Sequence, residues 1–283
     1  MRIDLHTHST ASDGTEPPAQ VLRSAAAAGL DVIALTDHDT TRGWDEAGAA
    51  VAETGVALVR GIEISCERGS TSVHLLGYLT DPAAPGLTGE IDQARASRVT
   101  RLERMVGLME EAGLPISYAE VRASVPEGAT PGRPHIADAL VRKGVVAHRD
   151  EAFARWLSND SRFYVSHYAP DPVRAVELVV EAGGVAVMAH PFTGSPGRQS
   201  SDELIAEMTA AGLAGIEVWH RDNDGAGRER GLALADRLGL LVTGSSDYHG
   251  DGKRNRLGEN TTAATVLDEL EHRSSGGTPV LRP

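Results

Sequence analysis

Two histidines two residues apart, His6 and His8, stand at the end of the first apolar stretch, in DLHTH. In an extended strand, residues i and i+2 project from one face, so the pair can grip a single cation. An HxH pair alone carries little weight, and its neighbours in this pattern also have plain readings. Asp13 before Gly14 suits a turn, Asp39 a helix cap, and His74 a satisfied core histidine. Their company changes the reading. Asp13 lies in STASDGT, His38 ends the stretch LTDHDT, Glu63 ends GIEIS, and His74 lies in VHLLGY. His190 follows in MAHP, and Asp247 and His249 in SSDYH. Six of the eleven histidines thus fall at or near strand ends beside three carboxylates. Imidazole and carboxylate ligands suit zinc, manganese or iron. Nine ligands are too many for one divalent ion and match two or three with shared carboxylates. Such a cluster polarises phosphoryl oxygens, makes water a nucleophile near neutral pH and stabilises entering and leaving oxygens. That is chemistry for hydrolysing a phosphate ester.

The elements that must hold these residues alternate. Strands are expected at residues 2–6, 32–36, 56–65, 72–79, 185–189, 214–219 and 240–244. Helices are expected at 18–28, 42–54, 172–182, 201–211 and 226–238, with Pro17 and Pro18 opening the first and Gly29 and Gly55 ending the first two. Repeated βα units imply a parallel sheet covered by helices. Seven strands with polar residues at their C-terminal ends point to a barrel that builds its site there. Between 86 and 158 the pattern changes to helices near 88–112, 118–123, 134–143 and 149–157. Residues 1–85 and 159–283 are therefore read as the barrel, and 86–158 as a helical insertion or lid. The tail from Ser274 to Gly277 reads as loose.

Composition sets bounds on partners. The formal net charge is −13, the opposite of the balance a duplex-coating protein uses against phosphates. A small phosphorylated substrate is compatible with it, the more so once bound cations are counted. Cys66 is the one cysteine, which excludes an intramolecular disulfide and cysteine zinc sites. MRIDLHTH has no apolar signal core, and no apolar run reaches the roughly 18 residues of a spanning helix, so a cytoplasmic location is expected.

The segments DLHTHSTASDGT, LTDHDT, GIEIS, VHLLGY, AHP and SSDYHG, in this order along nearly the whole chain, resemble the polymerase-and-histidinol-phosphatase (PHP) superfamily. Within it the chain looks most like stand-alone phosphoesterases with a helical insertion, which act on nucleoside 3′,5′-bisphosphates or short RNA 5′ ends. The resemblance implies a distorted seven-stranded (β/α) barrel. It also implies a division of ligands. His6, His8, Glu63 and Asp247 would hold one metal, and Asp13, His38 and His249 a second. Glu63, His74 and His190 would hold a third, with Glu63 bridging. Asp13 stands where some relatives carry histidine, as is typical of the nucleotide-type branch.

Further polar residues are candidates for substrate contact. Arg133 and His135 open a helix in GRPHIADAL, where a guanidinium fork and a helix N-terminus both favour a phosphate. Arg198 lies in the Gly/Pro loop after His190. His220 follows the strand ending in EVW and is a candidate proton donor, with Asp247 the other catalytic candidate. Asp37 and Asp39 are expected to orient neighbours, and His148, His167 and His272 to lie on the surface. A metal-dependent amidohydrolase is the competing hydrolase class, but it bridges its metals with a modified lysine, and Lys143 and Lys253 are not on barrel strands. A degenerate binding module would have lost ligands, and this chain keeps all nine. Histidinol phosphate is the main alternative substrate.

Overall fold

The computed structural model describes residues 1–69, 71–193 and 199–283. Its seven strands lie in one sheet in sequence order: β1 (Ile3–Thr7), β2 (Val32–Leu35), β3 (Ala57–Arg68), β4 (Thr71–Tyr78), β5 (Val185–Ala189), β6 (Gly215–Trp219) and β7 (Leu241–Gly244). The sheet curls until its edges meet at a parallel bridge between Thr7 and Tyr248, where the His8 N–H donates to the Tyr248 carbonyl at 2.8 Å. The expected α/β barrel is therefore the fold. β1, β2 and β5 are buried along their whole length, as strands covered on both faces must be.

The expectation of a parallel sheet needs correcting at one strand. β4 runs antiparallel to both β3 and β5, while β1–β2–β3 and β5–β6–β7 are parallel. Only residues 69 and 70 separate β3 from β4, which leaves room for a hairpin and none for a crossover. Gly69, at φ 62°, supplies the left-handed residue this turn uses. The reversal matters for the site. Parallel strands bring their ends to the upper rim, whereas β4 brings its beginning there. His74, the fourth residue of β4, pairs with Ser65 of β3 and Ala189 of β5, next to the point where His190 follows.

Helices α1 (Pro18–Ala27), α2 (Trp44–Ala49) and α3 (Val51–Thr54) cover one side of the barrel. After a helical block come α8 (Pro172–Glu181), α9 (Asp202–Ala210), α10 (Gly225–Leu238) and α11 (Ala264–Arg273). Asp171, Ser201 and Asp224 cap α8, α9 and α10 through their side chains. The block itself holds α4 (Pro85–Glu111), α5 (Tyr118–Ser124), α6 (Arg133–Arg142), α7 (Arg149–Ala152) and a π-helical turn at Phe153–Leu157. It has its own apolar core, with Leu102, Met105, Met109, Ile136 and Leu140 at its heart. Polar contacts tie it to the barrel. Arg98 of α4 donates to Asp39 and Ser65, and Arg149 grips Asp138 with two nitrogens while donating to the Asp13 carbonyl at 2.9 Å.

The tail is not loose. The Ser275 and Gly276 N–H groups donate to the Gly183 carbonyl, and Leu281 bridges Leu58. Helix α11, with Leu267 and Leu270 buried, has no counterpart among the helices expected from the sequence.

Inside the barrel, fully buried Tyr78 of β4 donates from its hydroxyl to the Leu5 carbonyl of β1 at 2.8 Å, pinning strands on opposite sides of the sheet order. Tyr78→Phe leaves that carbonyl short of a partner, so urea unfolding should show a loss of about 1–3 kcal/mol. An unchanged midpoint would show that the bond carries no stability.

Candidate metal centre

Glu63 forms the centre. It is 1% exposed, and its two oxygens face five imidazoles. Oε2 lies 3.1 Å from His6 Nε2, 3.0 Å from His8 Nε2 and 3.2 Å from His38 Nδ1. Oε1 lies 2.7 Å from His74 Nδ1 and 3.4 Å from His190 Nε2. Neither oxygen meets hydrogen-bond geometry with any of these rings, and His38 Nδ1, His74 Nδ1 and His249 Nε2 are likewise buried without a hydrogen-bond partner. Lone pairs that crowd together without pairing are aimed at a common point, which is how ligands of a cation stand. Asp247 Oδ1 is 3.5 Å from His6 Nε2 and 3.4 Å from His8 Nε2. On the far side, Asp13 Oδ1 is 3.3 Å from His249 Nε2, and Asp13 Oδ2 is 3.9 Å from His38 Nε2.

Three groups of donors could each hold an ion: His6, His8, Glu63 and Asp247; His8, Asp13, His38 and His249; and His38, Glu63 and His74. The first is the set expected from the sequence. The second adds His8, and the third has His38 where His190 was expected, although His190 stays within reach of Glu63. Two of the residues are held in backbone conformations that non-glycine residues rarely adopt, His190 at φ 27° and Asp247 at φ 54°.

A ring of buried polar groups fixes the imidazoles. Glu217 of β6 takes His6 Nδ1 at 3.3 Å, the His190 N–H at 3.0 Å and the Ser245 hydroxyl. With its Nδ1 thus engaged, His6 presents Nε2 to the centre. Asp37 accepts from the Ser9 N–H and from the hydroxyls of Ser9 and Ser12, and Asp39 accepts from the Ser65 N–H. Asp4 accepts from the Ser246 and Gly258 N–H groups, joining β1 to the segment after β7.

A PHP domain model matches residues 4–115. The chain is 36% identical to a 3′,5′-nucleoside bisphosphate phosphatase of Chromobacterium violaceum over 90% of its own length and 89% of that protein's. The chain belongs to the PHP family. It is also 33% identical to a 5′-3′ exoribonuclease of Haemophilus influenzae, covering 88% of this chain and 90% of that one. Among solved structures, a candidate metal-dependent phosphoesterase of Bifidobacterium adolescentis superposes with a TM-score of 0.93 at 43% identity, covering 96% of each chain. This PHP protein is a metal-dependent phosphoric ester hydrolase. No helix among the described residues is long and apolar enough to cross a membrane.

Around the PHP centre, the other expected residues scatter. His220 is 1% exposed and 3.6 Å from Asp247 Oδ2, while its Nδ1 accepts the Asp222 N–H, leaving Nε2 to face the site. Arg133 lines a cavity of about 260 Å³ that opens beside Asp13, His38 and His74. His135 instead turns back on its own helix, where Nδ1 accepts the Gly132 N–H at 3.1 Å, so it serves as a cap. Arg198 lies outside the described residues. His167 is a correction: it lines the same cavity as Arg133, and both its ring nitrogens are buried without a hydrogen-bond partner. Its segment carried no periodic pattern to mark an inward face. Sequence reasoning also passed over Arg101, Lys253 and Glu217. Glu217 had a signal, because GIEVW repeats the Gly-Ile-Glu of GIEIS and puts a carboxylate inside an apolar strand.

Burial would raise the Glu63 carboxyl, but His38, His6 and His74 outweigh it and hold it well below the usual range. Burial would lower His8, but Asp247 and Glu63 hold its proton up to about 9. A metal needs the deprotonated ring, so a proton competes at every pH below that value. Metal affinity should therefore rise with pH up to about 9, by about tenfold per unit for each proton displaced. Titration calorimetry in buffers of different ionisation heat should record the released proton. Binding that is flat across this range would remove His8 from the ligands.

Proposed function

We propose that this PHP protein removes a phosphate from a nucleotide carrying two phosphate groups, with nucleoside 3′,5′-bisphosphates as the preferred class. One observation carries the reading. Beside the centre, the cavity holds Arg98, Arg101, Arg133 and His167 with Tyr164 and Asn159. Arg101 is only 6% exposed, and its Nε and Nη2 have no hydrogen-bond partner. Arg133 lies between the rings of Phe153 and Tyr164 and donates to the Leu157 carbonyl and Asn159. Burial and the neighbouring Arg133 pull Arg101 down to about 9, and burial with Arg98, Arg101 and Arg133 pulls His167 down to about 3. Buried cations with unused donors are a site for an anion. A substrate with one phosphate over the centre and a second in this cavity satisfies both. The name of the Chromobacterium relative supports that class, and the exoribonuclease relative supports its extension to short oligoribonucleotide ends.

In this reading His6, His8, Asp13, His38, Glu63, His74, His190, Asp247 and His249 hold two or three divalent ions of manganese, iron or zinc, with Glu63 shared. Ions there would polarise the phosphoryl oxygens and lower the pKa of water. Glu217 keeps His6 and the His190 backbone in place, and Asp37 steadies the loop that carries Asp13. His220 turns Nε2 toward Asp247 and the leaving oxygen, where it donates a hydrogen bond. The helical block 86–158 acts as a lid that brings Arg101 and Arg133 over the rim. No protein nucleophile is needed: Cys66 is buried, and its thiol is pushed well above its ordinary range by burial.

Purified protein should contain more than one equivalent of metal by elemental analysis, and chelation should abolish turnover. Glu63→Gln should lower both metal content and rate more than any single histidine change. Activity in metal-free protein would end the reading. Arg101→Ala or Arg133→Ala should raise KM for a nucleoside bisphosphate by about 10–100-fold, as expected for a charge-assisted contact, and leave p-nitrophenyl phosphate hydrolysis nearly unchanged. Equal losses on both, or a preference for histidinol phosphate over every nucleotide, would point to the alternative substrate. His220→Ala should slow a ribose-hydroxyl leaving group more than nitrophenolate, which a side-by-side rate comparison decides.

A further inference from the structure

Lys253 lies where the cavities of this site meet. It lines the cationic cavity beside Asp13 and the opening directly above Glu63 and His190. It also lines a cleft of about 560 Å³ on the other side, between Phe153 and Arg254. Its Nζ reaches Asp247 Oδ2 at 2.6 Å, yet its side chain is 41% exposed against 6% for Asp247. The amine thus comes down onto the centre from the solvent side, where a substrate must also arrive.

The geometry points to Lys253 as a catalytic residue that leaves Asp247 to hold the scissile phosphoryl group, an inference that rests on the phosphoesterase reading of this site. Three observations support it. The first is that two other cations of the helical block that approach the rim, Arg98 and Arg149, are already paired with carboxylates that are not proposed metal ligands. Arg98 is paired with Asp39 and Ser65, and Arg149 with Asp138. The carboxylate paired with Lys253 is a proposed metal ligand. With a divalent ion held by Asp247, the charge that Lys253 now neutralises would be met by that ion, and a phosphate oxygen would be the anion left for the ammonium. The second is that Asp247 does not depend on Lys253 for its position, since its Oδ1 faces His6, His8 and His249 and His220 approaches Oδ2. The third is that the backbone on either side of Lys253 is held while its side chain stays 41% exposed. The Asp251 N–H donates to Thr15 Oγ1, Asn255 donates to the Ser246 carbonyl, and a Cβ on Gly252 would lie 2.2 Å from Arg149. A fixed Cα carrying a flexible four-carbon stem can deliver a point charge over a short range, which is how lysine binds phosphate.

The test uses full-length, metal-loaded Lys253→Met and Lys253→Arg. Three quantities are measured: metal content, affinity for inorganic phosphate by calorimetry, and kcat/KM for p-nitrophenyl phosphate. The expected result for Lys253→Met is wild-type metal content, phosphate binding weakened by about tenfold or more, and kcat/KM lowered by about 10²–10³-fold, as for loss of a transition-state charge contact. Lys253→Arg should recover part of both losses. Loss of metal in Lys253→Met would make Lys253 a prop for Asp247 and overturn the inference. So would full metal content with phosphate affinity unchanged. Failure of the phosphoesterase reading would show separately, as wild-type protein that hydrolyses no phosphate ester.

Discussion

The burial of Glu63 among five imidazoles governs how this barrel is built. Ionised groups taken out of water cost several kcal/mol each unless they are paired, and here Asp13, Glu63, Glu217 and Asp247 lie within one small volume. Without cations the site balances itself with protons. His6 and His8 are held protonated by the carboxylates around them, while burial pushes His38 and His249 toward the neutral form, His249 to about 4. Divalent ions do the same balancing with more charge in less space. The charges that hold the ligands apart from water therefore also hold them in place, and the cost falls on any change that removes one charge and leaves its partners. Deleting one carboxylate would leave several imidazoles without an anion.

The reversal of β4 shows how topology serves that centre. A βα barrel in which every strand ran upward would leave His74 on the inside of the sheet below the rim. Hairpinning β4 onto β3 lifts the start of the strand to the rim, so His74 meets Glu63 from the side opposite His6 and His8. The chain then leaves the barrel from the lower end of β4 and has the whole helical block in which to come back. That block packs mainly against itself, but Arg149 joins it to the backbone of Asp13, so a shift of the block would be felt at a candidate ligand. The π-helical turn has a local role of the same kind: it ends at Leu157, whose carbonyl accepts from Arg133.

The nine candidate ligands were legible because each interrupts or follows an apolar stretch: His6, Glu63 and His74 lie within β1, β3 and β4, and the other six in the segments that follow strands. The barrel was legible for the same reason, from short apolar strands between amphipathic helices. The direction of β4 was open to reading from the short gap between the expected strands at 56–65 and 72–79, too short for a crossover, a constraint on chain length rather than a preference of residues. Arg101 and His167 were not legible. Arg101 is one of several arginines along α4, and which one is buried depends on how that helix lies over the barrel. Lys253 follows a glycine in a loop, and its reach into the site depends on Gly252 packing against Arg149, a residue more than a hundred positions away. Contacts of that kind have no local period and surface only when the fold is assembled.

Charge is distributed unevenly enough to act at a distance. The chain carries a formal net charge of −13, yet the cavity beside the centre gathers Arg98, Arg101, Arg133 and Lys253. A cleft with low-dielectric walls focuses the field of its own lining, so a phosphate close to the opening feels the arginines more than the acidic surface. Beyond a Debye length of about 10 Å at moderate salt all of these charges are screened, so each phosphate responds mainly to the surface it directly faces. A long polyanion spans both zones at once and is repelled along most of its length. A small ester with two phosphates fits wholly within the attractive zone. In the proposed reading, the cations that would hold the second phosphate would also favour a short substrate over a long one before any contact is made.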